Sequence, residues 1–173
     1  MDHTVGMYPA SFDPPTNGHL DILDRVLRMR IFDEVVLAIG VNPDKTARFS
    51  IDERHRMLER IVRDLPNGGT VRVDIMEGLM VEHARRTGAT VIIRGVRSPR
   101  DFEYESELSY VSKHLAPDIE MLFLLADPRY ASLSSTLVKQ VATLGGDLEG
   151  LVPAEVIRAL QQRITPGDTP TGS

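Results

Sequence analysis

Apolar residues fall along this chain in two alternating rhythms. Short runs rich in β-branched and other apolar residues occupy positions 4–8, 34–40, 71–75, 91–94 and 119–125. Each is followed by a stretch in which apolar residues return every three or four positions, the spacing of a helix that buries one face. Five strands interleaved with helices predict a parallel sheet, because a parallel neighbour is reached only through a crossover, and right-handed crossovers build an open, doubly wound arrangement. The fold class this implies is α/β: a doubly wound, five-stranded parallel sheet with a C-terminal helix.

The helix ends are marked by cap residues. Ser50 and Glu53 have the spacing of a capping box, ahead of Ile51, Leu58, Ile61, Val62 and Leu65 on one face. In GLMVEHARRTG, Leu79 and Ala84 are expected to point inward, and Gly88 suits the left-handed residue that stops a helix. In DFEYESELSYVSKHL, Tyr104, Leu108, Val111 and Leu115 follow one another at helical spacing. Ser134 or Ser135 can cap TLVKQVATL, and a last helix opens at Pro153 and runs through Val156, Ile157, Leu160 and Ile164. These elements form one expected domain over residues 1–164; residues 165–173, TPGDTPTGS, hold too little apolar content to fold and are expected to be disordered.

Composition narrows the class. The chain has 173 residues, 42% of them hydrophobic, enough for a core without staples. It has no cysteine, which removes disulfides and thiolate chemistry and agrees with a reducing compartment. A net charge of −5 disfavours a nucleic-acid partner. The N-terminus lacks a signal-peptide pattern and no apolar run is long enough to span a bilayer, so a cytoplasmic protein without membrane contact is the expectation.

In an open α/β sheet, ligands bind beyond the carboxyl ends of the strands, where the strand order reverses. The segments following the strands are PASFDPPTNGH, VNPDK, GVR and ADPRYASLSS. In the first, a helix start with free N–H groups, the Ser11 hydroxyl and Gly18 suit an anion, and His19 sits where a side chain reaches over it. Asp13 can lock this turn through side-chain-to-backbone bonds. Lys45, Arg94 and Arg97 bring cations to the same rim, and SLSSTLVK offers hydroxyls at another helix start. Each feature alone is also what a surface turn, a solvated cation or a serine cap looks like. Together they point to a nucleotide site. No metal-ligand spacing occurs among His3, His19, His55, His83 and His114, and Glu103, Glu105 and Glu107 do not share a helix face, so no protein metal site is expected.

YPASFDPPTNGH, VNPDK, IRGVR, DFEYE and SLSSTLVK, in this order, closely resemble the bacterial phosphopantetheine adenylyltransferase family, within the nucleotidyltransferases marked by an HxGH motif. The resemblance runs from about Val5 to Ile164. It implies a Rossmann-like fold and reversible transfer of AMP from ATP to 4′-phosphopantetheine, giving dephospho-coenzyme A and pyrophosphate in coenzyme A synthesis. By this resemblance His19 stabilises the transition state. ATP is bound by Ser11, Phe12, His19, Gly95, Val96, Arg97, Glu105, Tyr130, Ala131, Ser132, Leu133, Ser134, Ser135 and Thr136. Phosphopantetheine is bound by Ser11, Lys45, Met80 (or its neighbour Leu79) and Arg94. The family resemblance also implies magnesium with the nucleotide, a homohexamer, and coenzyme A as a conceivable feedback ligand.

Four positions depart from the pattern. Ala10-Ser11 stands where Gly-Thr is common, Thr16 where HxGH has its first histidine, and Lys139 where arginine is frequent. Rival readings are a sister enzyme acting on nicotinate mononucleotide or glycerol 3-phosphate, and an idle nucleotide-binding module. A tRNA synthetase fragment is disfavoured by length and acidity.

Overall fold

The computed structural model describes residues 3–41 and 46–163. Lys45, Ile164 and the tail at 165–173 lie outside them. Among the described residues, five strands alternate with helices in the order β1 (Val5–Ala10), α1 (Asn17–Met29), β2 (Glu34–Ile39), α2 (Ile51–Arg63), β3 (Val71–Ile75), α3 (Met80–Thr87), β4 (Val91–Val96), α4 (Pro99–Leu115), β5 (Glu120–Leu125), α5 (Ser135–Thr143) and α6 (Ala154–Gln161). The sheet is parallel throughout, with strand order β3-β2-β1-β4-β5. The chain therefore winds outward through β2 and β3, then crosses back to β4 on the other side of β1. The reversal lies between β1 and β4.

Successive strand residues serve opposite faces, as a pleated strand requires. Tyr8, Val35, Leu37, Ile39 and Ile93 pack with Ile22, Leu23 and Val26 of α1 and Leu58 and Val62 of α2. Val5, Met7, Val36, Ala38 and Ile92 pack with Val81 and Ala84 of α3 on the other face. A third cluster joins Met57 and Ile61 of α2 to Val138 and Ala142 of α5 and Val156 and Leu160 of α6. This seats the C-terminal helix. Pro153 caps that helix from outside its first turn.

The strands at the reversal differ from the expectation. β1 continues through Pro9 to Ala10, past residue 8, and β4 continues to Val96. β1 keeps its register with β2 up to Ala10↔Ile39, but it pairs with β4 only at Gly6↔Val91 and Met7↔Ile92. Beyond Met7 the two strands part, so the N–H that proline lacks is not needed there. The gap between them is where the site opens.

Two helix faces also differ. Leu79 is the N-cap of α3 and is 52% exposed; Val81, His83 and Ala84 are the buried face. On α4, Tyr104, Val111 and Leu115 face outward, while Glu105 and Ser112 are buried. The apolar spacing marks the helix correctly, yet nothing in the described chain covers that stripe.

Candidate active site

The first turn after β1 is held from several directions. Phe12 takes a left-handed conformation (φ 47°), uncommon for a large residue, and pays for it by burial and edge-on contacts with Tyr8 (5.7 Å) and His19 (5.1 Å). Asp13 is 5% exposed and accepts from the backbone N–H groups of Arg48 and Phe49 at 2.9 Å and from Lys139 Nζ at 2.9 Å. Its side-chain-to-backbone bonds thus reach across to the segment before α2 rather than closing its own turn. Ser135 Oγ donates to Pro14 O (2.8 Å), and the Asn17 N–H and amide side chain donate to Leu151 O and Gly150 O (both 2.9 Å). Three distant segments therefore fix one loop.

Thr16 is the N-cap of α1, and His19 is its third residue. The His19 N–H donates to Thr16 Oγ1 (3.3 Å), and the Thr16 N–H donates to His19 Nδ1 (3.0 Å). This is a capping box with imidazole in the place usually held by Glu or Gln. It also fixes the tautomer: because Nδ1 accepts, the proton of the neutral ring lies on Nε2. Burial, reinforced by the positive charge of Arg97, pushes the His19 pKa down to about 4. At neutral pH the ring is an uncharged Nε2–H donor.

Beside it lies a cleft of about 370 Å³ lined by residues from three of the four expected loops, those after β1, β4 and β5; of VNPDK, only Val41 is among the described residues, and it is not part of the lining. Ser11, His19, Arg94, Gly95, Arg97, Glu105, Tyr130 and the run Leu133–Thr136 meet there. Tyr8, Gly18 and Ile22 complete the wall near His19. A Cβ on Gly95 would come within 3.2 Å of Ile22, so glycine lets β4 approach α1 closely. Ser134 caps α5 by accepting from the Leu137 N–H at 3.1 Å, which settles the choice between the two serines.

The cations at the rim are themselves held. Arg94 donates from Nε (2.7 Å) and Nη2 (2.5 Å) to the Glu105 carboxylate and from Nη1 to Pro9 O (2.8 Å). It thus fills the gap where β1 and β4 part, with two of its five N–H groups left for a ligand. Arg97 bonds Asp101 through Nε (2.9 Å) and Leu133 O through Nη1 (3.2 Å).

Some expected residues lie elsewhere. The side chains of Phe12 and Val96 are buried beneath the cleft, Ala131 and Ser132 are outside its lining, and Met80 packs half-buried against the second core cluster. Lys45 is outside the described residues. Of the other histidines, His83 is 4% exposed, with Nδ1 3.0 Å from Arg86 Nη2 and Nε2 3.4 Å from Asp74. Burial lowers its pKa. Among the described residues no three of His, Cys, Asp or Glu gather into a metal cage, and no helix is long and apolar enough to cross a membrane.

Arg54 was not among the expected site residues. It is 4% exposed, and its Nη1 donates to Ser11 O (2.7 Å) and Gly40 O (3.3 Å), tying together the chain beyond β1 and β2. A signal existed: it is the one charge at helical spacing between Ile51 and Leu58 on the apolar face of α2.

The cytidylyltransferase-like family profile matches residues 7–141. A phosphopantetheine adenylyltransferase of Clostridium kluyveri is 46% identical over 151 residues, covering 87% of this chain and 89% of that protein. Another, of Clostridium tetani, is 48% identical and covers 88% and 92%. This chain belongs to the phosphopantetheine adenylyltransferase family. A third member of the family, from Geobacter metallireducens, is 44% identical across 95% of this chain and 98% of its own. The fold is shared more widely: a Plasmodium falciparum nicotinic acid mononucleotide adenylyltransferase superposes with a TM-score of 0.71 at 14% identity, over 94% of this chain and 97% of that one.

Proposed function

We propose that this protein transfers an adenylyl group reversibly from ATP to 4′-phosphopantetheine, yielding dephospho-coenzyme A and pyrophosphate. The observation that carries the chemistry is the neutral, tautomer-fixed His19 at the floor of a cleft edged by Arg94, Arg97 and the start of α5. Family membership supports the choice of acceptor.

A phosphate monoester has a second pKa near 6, so the attacking oxygen is already deprotonated at neutral pH and needs no strong base. It attacks the α-phosphorus as the bond to the bridging oxygen of the β-phosphate breaks, and pyrophosphate leaves with that electron pair. The obstacle is repulsion between two anions. Arg97, the free N–H groups of Arg94 and the Ser11 and Ser134–Thr136 hydroxyls hold them in line. His19 Nε2–H then donates to an α-phosphoryl oxygen as its charge grows, and an uncharged donor does so without surrendering its proton. The resemblance alone assigns Lys45 and Met80 to the acceptor and Phe12, Val96, Ala131 and Ser132 to the nucleotide; the side chains of Met80 and of the last four do not line the cleft.

The donor set fits a magnesium ion that arrives chelated by the nucleotide, since hydroxyls line the cleft and, among the described residues, no carboxylate cage does. Bound there, the ion would neutralise charge on the departing pyrophosphate. The outward apolar face of α4 supports a homo-oligomer, a hexamer by family resemblance. Coenzyme A, which contains the product's atoms, would compete for the same cleft, and this reading takes the enzyme to be cytoplasmic.

A substrate panel tests the reading. With ATP and magnesium, pyrophosphate release is expected with 4′-phosphopantetheine and not with nicotinate mononucleotide or glycerol 3-phosphate. A protein that binds ATP yet never exchanges labelled pyrophosphate in the presence of dephospho-coenzyme A is a binding module, and the proposal fails.

A further inference from the structure

His83, on the buried face of α3, takes no part in the chemistry above, yet it sits in a costly place. Its Nε2 is the one fully buried side-chain nitrogen or oxygen without a hydrogen-bond partner among the described residues; the Asp74 carboxylate of β3 lies 3.4 Å away without completing a bond. An unpaired buried donor is destabilising, and an apolar ring would fill the same space without that cost. The imidazole is therefore kept for its other nitrogen.

Nδ1 lies 3.0 Å from Arg86 Nη2 and 3.5 Å from the backbone nitrogen of Glu77. Both of those groups only donate, so Nδ1 accepts and the proton of the neutral ring is on Nε2. Burial lowers the ring's pKa, with Arg86 and Arg72 assisting and Asp74 and Glu77 opposing, so the ring is uncharged at neutral pH. Arg86 Nη2 also donates to Glu77 O at 2.6 Å. One imidazole–guanidinium pair thus holds both backbone groups of Glu77.

No other hydrogen bond reaches Glu77 among the described residues. The turn Glu77–Gly78–Leu79 is exposed and bends through a left-handed Gly78 (φ 72°). It is otherwise anchored only at its ends, where the Met76 N–H donates to Ile39 O (3.0 Å) and Leu79 O accepts from the His83 N–H (2.9 Å). The turn lies at the carboxyl end of β3, on the rim where an open α/β sheet binds ligands. Arg94, on β4, is three strand spacings away across the rim, about 14 Å. A long acceptor with its phosphate at Arg94 can lay its arm along that rim and reach the exposed apolar side chain of Leu79.

We propose that His83 is a positioning residue for the acceptor: through Nδ1 it latches Arg86 and Glu77, so that the turn at residues 77–79 stands ready to receive the acceptor's arm. The proposal rests on the function given above for the identity of the acceptor, and on the geometry alone for the latch. A turn that is in place only part of the time lowers the apparent affinity by that fraction and leaves the step after binding unchanged.

Two replacements separate the latch from packing. His83→Phe fills the space with no acceptor atom, whereas His83→Asn offers a carbonyl oxygen in place of Nδ1. In the transfer assay His83→Phe should raise the KM for 4′-phosphopantetheine about three- to tenfold, the worth of one net hydrogen bond, with kcat and the KM for ATP within about twofold of the unaltered chain. His83→Asn should recover most of the loss. An unchanged acceptor KM in His83→Phe, or a loss shared equally by both substrates, overturns the proposal.

Two NMR readings on the same proteins need no turnover. The ring nitrogen shifts of the unaltered chain should place the His83 proton on Nε2, and the Glu77 amide should exchange with solvent faster in His83→Phe than in the unaltered chain. A proton on Nδ1, or equal exchange in the two chains, overturns the latch. If the unaltered chain moves no AMP to 4′-phosphopantetheine, the proposed function fails and the acceptor's identity with it, while the exchange rates still decide whether His83 holds the turn.

Discussion

Helices α2 and α4 both carry apolar residues at helical spacing and use them in opposite ways. α2 buries Leu58, Ile61 and Val62 against the sheet and the C-terminal helix, and admits one charge, Arg54. α4 turns Tyr104, Val111 and Leu115 to solvent and buries Glu105 and Ser112. The apolar stripe shows that a helix exists and which side lacks charge; it does not show what covers that side. In both helices the inward charge marks the approach to the site, since Arg54 grips the Ser11 carbonyl and Glu105 grips Arg94.

Truncating each stripe tests that contrast most directly. Leu58→Ala should lower the unfolding free energy by about 2–5 kcal/mol, because it empties a fully enclosed space. Val111→Ala should change the stability of a dispersed subunit by no more than about 0.5 kcal/mol. Chemical denaturation of the two variants at low concentration decides it; equal losses would mean that the α4 stripe is covered after all.

The inward charge of α4 comes next. Glu105→Leu leaves the guanidinium of Arg94, 20% exposed, without its carboxylate, at a cost of about 3 kcal/mol. Replacing Arg94 as well, by Met, should recover most of that loss, because the uncompensated charge leaves with it. A double variant no more stable than Glu105→Leu would show that the pair is not what seats α4.

These residues also show where sequence was informative. The sheet was legible because alternation of strand and helix leaves little topological choice, and the α2 start because its cap spacing is local. The extension of β1 through Pro9 was not legible, since it depends on β4 diverging after Met7, a property of two strands far apart in sequence. Thr16 and His19 were each visible, but the exchange of bonds that fixes the imidazole tautomer needs coordinates. Glu105 stood out in an acidic run, whereas Arg54, a charge inside an apolar stripe, was passed over. Their burial follows from what lies opposite them.

His19 lines the same cleft as Glu105, and its removal should separate chemistry from fold. His19→Ala is expected to slow adenylyl transfer by about 10²- to 10³-fold while the chain stays folded. A loss under tenfold would deny the ring a transition-state role. Its low pKa adds a stability signature. Between pH 6.5 and about 4 the unfolded chain takes up a proton that the folded ring refuses, so stability falls as pH falls through that window, and above it the ring contributes nothing to the slope. Denaturation curves across this range should be steeper in pH for the unaltered chain than for His19→Ala. Parallel curves would place the ring in water.

The smallest effect on a single subunit is expected at Tyr110, which is 75% exposed on the outer side of α4. It touches no wall of the cleft, so Tyr110→Ser should leave ATP binding intact and subunit stability within about 0.5 kcal/mol. Its consequence should appear in mass. With Phe102, Tyr104, Val111 and Leu115 also exposed, α4 presents an apolar surface that a second copy of the chain can cover, and a hydroxyl in place of the aromatic ring removes contact area from it. Light scattering across a dilution series should show the variant dissociating at higher concentration than the unaltered chain. If both hold the same mass throughout, α4 does not face another copy, and its difference from α2 is that of a bare helix beside a buried one. If they diverge, both helices obey one rule: each apolar stripe is buried, by its own chain in α2 and by a neighbouring subunit in α4.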